Sequence, residues 1–300
     1  MVVGANAPDF DVVSLLGGAE PYLRWHRHFT HALIAIPLMA LVAVAVVRFV
    51  GRKPLQWLPA WGIALVAVLS HVLLDLTNIY GVRLLLPFSG RWFHWDITPV
   101  IDPTVFAILL LGLAAPALGR LVGGEIGDKK EGSGTGWAIA ALALLLAYDV
   151  TRSNFHDNVA AQMDARRYGG LTPRRVGAFP TLNPLAWTGV AELSNAYVMI
   201  PVQVLGSFHM NDAETLYKAE QTPQVDAAFR SETFQRFLEF VQYPLWVTAP
   251  APDLEGATQV TLVDLRFGTP QALGFAAVAT VSREGKVLKP YFTMSGARPR

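Results

Sequence analysis

The chain has 300 residues, of which 52% are hydrophobic and only 16% charged, whereas an ordinary soluble domain carries about a quarter charged residues. The net charge of +1 gives no reason to expect a polyanionic partner such as nucleic acid. Because the chain has no cysteine, disulfides and thiolate metal sites are excluded, and the composition favours a membrane protein.

Four apolar runs in the first half are candidates for membrane-spanning helices, which need roughly 20 apolar residues. They cover residues 29–50, 57–77, 103–122 and 136–150, and the last run is short. Between the third and fourth runs, EIGDKKEGSGTG (125–136) predicts a flexible linker. After Asp149 the charge rises and no run of that length recurs.

The second half has the patterns of a soluble α+β domain. Amphipathic helices are predicted at 156–168 and 226–240, and strands at 197–205, 258–267, 274–282 and 286–293. REGK (283–286) predicts a hairpin turn. The sequence therefore predicts a mainly α fold. A multi-span transmembrane helix bundle of about four spans over 1–150 is followed by a soluble α+β C-terminal domain over 151–300.

Basic residues are slightly more numerous on one predicted side of the membrane. The loops after the first and third runs carry Arg48, Arg52, Lys53, Arg120, Lys129 and Lys130, and the opposite side carries Arg24, Arg27, Arg83 and Arg91. Since cytoplasmic loops are enriched in Lys and Arg, residues 79–102 and the C-terminal domain are predicted to lie outside the cytoplasm.

Histidines and aspartates gather at that same predicted membrane boundary. His71 and Asp75 are four residues apart, so they share one face of a helix. Because two crossings return the chain to the side where it started, the start of the first run, the end of the second and the start of the third all meet there. The candidates are Asp9 and Asp11 in a predicted extended NAPDFDV, then His26, His28, His31, His71, Asp75 and Asp102.

Imidazole and carboxylate donors without thiolates suit zinc, iron or manganese in a hydrolytic site, and two such sets leave room for a second ion. Other interpretations remain open, because interfacial histidines can anchor a helix at lipid headgroups and Asp9 and Asp11 can cap the following segment. Ionisable groups inside a span, such as His71 and Asp75, usually mark function. No GxGxxG, Walker or serine-hydrolase motif appears.

Four blocks carry a resemblance to a known family: GANAPDFD (4–11), YLRWHRHFTHAL (22–33), SHVLLDLTNIYGVRLLLPFS (70–89) and DITPVIDP (96–103). In order and spacing they resemble the bacterial membrane-bound metal-dependent hydrolase family, the YdjM-like inner-membrane proteins. The resemblance implies a metal-dependent hydrolase in the bacterial inner membrane, distantly similar to zinc-dependent phospholipase C. The chain departs from the family at His28, where Gly is frequent, and at Ala32, where Ser is frequent.

We therefore predict an integral membrane metallohydrolase whose metal ligands are Asp11, His26, His31, His71 and Asp75. Asp9 and Asp102 are predicted catalytic groups or alternative ligands, and zinc is expected ahead of iron or manganese. The predicted substrate is a phosphoester or a lipid-linked compound among the membrane lipids, with Arg83 and Arg91 able to meet a phosphate. The alternative is a non-enzymatic membrane protein with a structural metal site and a partner-binding outer domain. The oligomeric state stays open.

Overall fold

The computed structural model describes residues 1–51, 54–126, 134–206 and 208–295. Its helices are α1 (Val2–Asn6), α2 (Ala19–Trp25), α3 (Ile36–Gly51), α4 (Trp57–Thr77), α5 (Pro103–Ile126), α6 (Thr135–Asp164), α7 (Pro223–Phe229) and α8 (Glu232–Leu238). Three 3₁₀ segments, Pro8–Gly17, Phe29–His31 and Leu33–Ala35, lie before α3. Residues 127–133 of the predicted linker lie outside the described residues.

The prediction of a mainly α, multi-span bundle is wrong. The structure is 46% helical and 21% strand, with two antiparallel sheets in the C-terminal half. Among the described residues only Leu33–Gly51 and Trp57–Thr77 are long and apolar enough to cross a membrane. Of α5, the described apolar stretch is Pro103–Gly119, and α6 continues from its apolar start into a charged second half.

α3 and α4 form an antiparallel hairpin with α1 packed against it. Small residues make the contact close: a Cβ added to Gly4 of α1 would lie 3.2 Å from the Cβ of Ala67 on α4. In apolar surroundings, helix association depends on such close packing of small residues. The packing fixes the end of α4 beside the segments that precede α3, which is where the candidate ligands lie.

α6 spans residue 150, at which the sequence divides the chain into two predicted domains. Its Arg152 side chain is almost completely buried and donates to the carbonyls of Ile97 (Nε–O 2.8 Å) and Pro184. Through this one side chain, the loop before α5 is connected to the loop before strand β2 (Ala186–Glu192). The division into domains stays a prediction.

Two antiparallel meanders make up the C-terminal half, each with its strands in chain order. The first contains β1 (Arg175–Pro180), β2, β3 (Ala196–Gln203) and β4 (Glu214–Tyr217), and the second contains β5 (Pro244–Pro250), β6 (Thr258–Asp264), β7 (Ala276–Val281) and β8 (Val287–Thr293). The four predicted strands correspond to β3, β6, β7 and β8, and the REGK turn is confirmed by Ser282 N–H···O Lys286 at 2.9 Å.

The second sheet is fastened to the end of α4 by a fully buried ion pair. Arg266 contacts Asp264 at 2.6 Å (Nη2–Oδ2), and it also donates from Nη1 to the Ile79 carbonyl at 2.7 Å. Arg266 Nη2 also donates to the Phe240 carbonyl at 3.1 Å. The loop after α4 is therefore held from the C-terminal half of the chain.

Candidate metal centre

Four side chains from three segments converge where α4 ends. His31 closes the short 3₁₀ turn before α3, His71 and Asp75 lie one turn apart on α4, and Asp9 belongs to the 3₁₀ segment Pro8–Gly17. His31 Nε2 lies 3.2 Å from His71 Nε2 and 3.1 Å from Asp75 Oδ2. His71 Nε2 is 3.3 Å from the same oxygen, and Asp9 Oδ1 is 3.5 Å from both imidazole nitrogens.

The five separations given above are close to those between the ligands of a tetrahedral cation site. Four ligands at about 2.0–2.1 Å from a zinc ion lie about 3.3–3.4 Å from one another, and the observed separations are 3.1–3.5 Å. Asp9 Oδ1 and Asp75 Oδ2 are buried and accept no hydrogen bond from a described group. Since buried polar atoms are normally satisfied, a cation is the partner that this donor set can accommodate.

The carboxylates make the buried His31 ring strongly basic. Burial by itself lowers the pKa of His31, but interactions with Asp11, Asp75 and Asp9 outweigh it and raise that pKa to about 10. Burial also acts to raise the pKa of Asp9 and of Asp11, yet the neighbouring imidazoles hold both well below their usual range. The cluster is therefore a strong acceptor for protons or for a metal cation.

A chain of hydrogen bonds orients the His31 ring. Thr30 Oγ1 lies 3.0 Å from His31 Nδ1 and donates to Asp11 Oδ2 at 2.5 Å. Asp11 also accepts from the Arg27 backbone N–H (2.9 Å) and contacts His26 Nδ1 at 2.7 Å. A proton on Nδ1 leaves the Nε2 lone pair free and directed at the other candidate ligand atoms of the cluster. Supporting groups fix the tautomer of a metal-binding histidine in this way.

Asp75 is oriented by a buried arginine. Arg27 Nη2 lies 2.7 Å from Asp75 Oδ1, and Asn78 Nδ2 donates to the same oxygen at 3.5 Å. Arg27 Nη1 in turn donates to Asn78 Oδ1 at 2.9 Å. With Oδ1 engaged, Oδ2 remains for the cluster. Arg27 adopts φ +56°, a left-handed conformation that is rare for a side chain of its size. Residues with such backbone strain cluster at functional sites.

Of the other predicted site residues, Asp11 and His26 lie beside the cluster and Asp102 lies apart from it. Asp11 and His26 form a second possible metal-holding group with Asp9, but in the structure Asp11 already engages three partners. Asp102 belongs to neither group: it accepts from the N–H groups of Thr104 (2.8 Å) and Val105 (3.2 Å) at the start of α5, and from Tyr148 Oη at 2.8 Å.

The two arginines predicted to meet a phosphate lie in different settings. Arg83 is paired with Glu239 at 3.2 Å (Nη2–Oε2) and lines a cavity of about 510 Å³ that Arg24 and Arg236 also line. Arg91 lies outside that cavity with its guanidinium over the Phe93 ring, 5.4 Å from the centroid.

Sequence reasoning missed three supporting residues, namely Arg27, Thr30 and Asn78. A signal for Arg27 was available, because an arginine between two histidines at an apolar boundary needs a counter-ion. Thr30 and Asn78 gave no comparable signal, since their roles depend on how segments distant in sequence meet.

Comparisons with known proteins identify the family. A family model described as YdjM inner membrane protein matches residues 1–155. The protein YfhP of Bacillus subtilis (strain 168), described as uncharacterized, is 22% identical over 290 residues, which cover 97% of this chain and 83% of YfhP. No solved structure matches. The chain belongs to the YdjM inner membrane protein family.

Proposed function

We propose that this member of the YdjM inner membrane protein family is a metal-dependent hydrolase that acts on a phosphoester or lipid-linked substrate at the membrane interface. The observation that carries the proposal is the convergence of Asp9, His31, His71 and Asp75 at separations suited to one cation. Zinc is the first candidate, because two imidazoles and carboxylates are typical of catalytic zinc.

The distances suggest a division of roles within the four donors. His31, His71 and Asp75 are mutually closest, at 3.1–3.3 Å, whereas Asp9 is farther away and its side chain is 42% exposed. Three protein ligands with one open position are typical of catalytic zinc sites. We assign the holding of the ion to the three closest donors and give Asp9, on the open side, a role in proton transfer.

A divalent ion held at this position would lower the pKa of a water molecule and polarise a phosphoryl oxygen. The Asp9 carboxylate, 42% exposed on the open side of the cluster, would accept the proton that an attacking water loses as its oxygen bonds to phosphorus. The same carboxyl can return the proton to the leaving oxygen. Thr30 and Arg27 keep His31 and Asp75 oriented during this exchange.

A second candidate is a non-enzymatic membrane protein with a structural metal site. Four protein donors around one position are the number that a closed structural zinc site uses. Asp9→Asn separates the two functions. In a hydrolase it removes turnover and leaves most of the metal bound, whereas in a structural site it lowers metal content and melting temperature together.

The test of the proposal uses full-length protein in proteoliposomes containing phosphatidylglycerol, phosphatidic acid or a polyprenyl phosphate. We expect metal-dependent release of phosphate or of a phosphorylated headgroup, lost with chelator and restored by zinc. His71→Ala should abolish both bound metal and release, while Ser70→Ala, the exposed neighbour on α4, should keep both. Chelator-insensitive release would refute the metal dependence of the hydrolysis. No turnover by protein with metal bound would favour the structural candidate.

Sidedness is part of the proposal. Arg48 in the last turn of α3, followed by Arg52 and Lys53 before α4, favours the cytoplasm for this end of the hairpin. The metal cluster and the C-terminal half are therefore assigned to the opposite face. In this cysteine-free chain, Glu284→Cys should react with an impermeant maleimide in intact cells and Gly51→Cys should not. The reverse pattern would overturn the orientation.

A further inference from the structure

The 3₁₀ segment Pro8–Gly17 exposes an apolar surface beside the metal cluster. Five of its side chains are between 46% and 90% exposed: Phe10, Val12, Val13, Leu15 and Leu16. We call these five residues the 8–17 face. The polar side chains of the segment have partners on the protein: Asp9 contacts His31, Asp11 contacts His26, and Ser14 Oγ donates to the Asp11 carbonyl at 2.6 Å.

This face continues the surface of a candidate membrane span. The segment packs against the short turn Phe29–His31 that leads into α3, and Phe29, Leu33 and Ile34 are exposed along that path. At the other side, Trp25 is exposed with the Arg24 guanidinium 4.9 Å above its ring, a residue pair typical of membrane–water interfaces.

The sequence of the segment suits lipid as the covering partner. Between Asp11 and Glu20 no residue is charged, so the exposed face has no group that would need water. Apolar patches of this kind on a protein surface mark protein or membrane contacts. The face is continuous with α3, a candidate span in a chain that belongs to an inner membrane protein family, and this continuity favours the membrane.

We propose that the 8–17 face is embedded in the lipid leaflet, with the segment lying along the membrane plane at the level where headgroups meet acyl chains. Asp9 is then presented to the leaflet and not to bulk water. Resting on the proposed function, this names the substrate class: a membrane-resident amphiphile whose phosphate lies at headgroup depth and which reaches the metal cluster sideways from the leaflet.

The first test measures depth and needs no activity. A nitroxide is attached to Leu16→Cys in full-length protein, in proteoliposomes of phosphatidylglycerol and phosphatidylethanolamine. Its collision rates with oxygen and with a water-soluble nickel complex are compared by electron paramagnetic resonance. We expect oxygen to dominate, at a depth of about 5–10 Å below the phosphates. Leu182→Cys, an exposed leucine between β1 and β2, is the matched control and should favour nickel.

Each other result at position 16 overturns the proposal. Nickel collisions that exceed oxygen collisions place the face in water. Low collision rates with both reagents mean that a protein surface, such as a second copy of the chain, covers it. Both results are obtained whether or not the protein hydrolyses anything.

A second test concerns substrate access. Leu16→Asp should lower turnover of a bilayer phospholipid and leave turnover of a water-soluble phosphate ester unchanged, while Leu182→Asp should affect neither. An equal loss on both substrates would contradict sideways access. If wild-type protein turns over neither ester, the proposed function fails, and the depth measurement still decides the lipid contact.

Discussion

The hydroxyl of Thr30 gives the most direct test of how the cluster is held. It connects Asp11 Oδ2 at 2.5 Å with His31 Nδ1 at 3.0 Å, and Thr30→Val removes it while conserving the shape of the side chain. Without the hydroxyl, the tautomer of His31 that directs Nε2 at the ion loses its nearest partner. The substitution therefore acts on metal affinity without removing a ligand.

The size of the effect follows from the distances. Loss of such a supporting group typically costs about 10–100-fold in metal affinity, or about 1.4–2.7 kcal/mol. Since Asp11 Oδ2 remains 3.4 Å from His31 Nδ1 and can take over part of the contact, we expect the lower end, about tenfold.

The assay is a competition titration of zinc between detergent-purified protein and a chromophoric chelator. The control is Thr151→Val, which removes an exposed hydroxyl that donates to the Ala147 carbonyl within α6. If the zinc affinity of the Thr30→Val protein is within about twofold of wild type, or if the control loses as much affinity, the supporting role of Thr30 is refuted.

Three further outcomes are expected. Arg266→Met should lower the free energy of unfolding by about 3–5 kcal/mol, because it leaves a buried carboxylate unpaired, whereas chemical denaturation of the exposed Arg230→Met should show a change within about 0.5 kcal/mol. Burial and a nearby carboxylate raise the pKa of Asp149 to about 6, so its contribution to stability is lost as pH rises through that value. Asp149→Asn should therefore raise the melting temperature above about pH 7 but not near pH 4, and the exposed Asp157→Asn should alter neither. Gly81→Ala should lower both melting temperature and zinc stoichiometry, because its φ is +79° and an added Cβ would lie 2.6 Å from a backbone carbonyl oxygen; an unchanged melting curve would contradict this.

Part of the candidate site follows from local rules. His71 and Asp75 share a helix face because they are four residues apart, and His31 lies near them because an antiparallel hairpin brings the start of one apolar run to the end of the next. The structure places these three side chains within 3.1–3.3 Å of one another. Spacing and hydropathy were sufficient for that much.

The separation between Asp9 and Asp11 could not be predicted in the same way. An extended NAPDFDV would direct both carboxylates to one side, but the segment is a 3₁₀ helix, which rotates residues two apart to different directions. Asp9 therefore contacts His31 and His71, while Asp11 contacts His26 and Thr30. The local conformation is set by packing against α2 and α4, which the sequence does not display.

Strands β3, β6, β7 and β8 were predicted from their β-branched and aromatic residues. The missed strands β1 (RVGAFP), β2 (AWTGVAE) and β5 (PLWVTAP) contain Gly or Pro, which are depleted in strands, and each is held by antiparallel pairing with the next strand of its meander. The apolar start of α6 was counted as a span because it was separated from the charged turns that continue the same helix.

The hydrogen bond from Arg266 to Ile79 also has a consequence for biosynthesis. The two residues are 187 positions apart in the chain, and at translation rates of about 5–20 residues per second the arginine is made roughly 10–40 s after the loop that it holds. All four metal-binding candidates have left the ribosome by then, while the loop carrying Asn78 still lacks this support. A metal ion delivered to the nascent chain would meet ligands that do not yet have their final orientation. Stable metal binding is therefore expected only after synthesis of the second sheet.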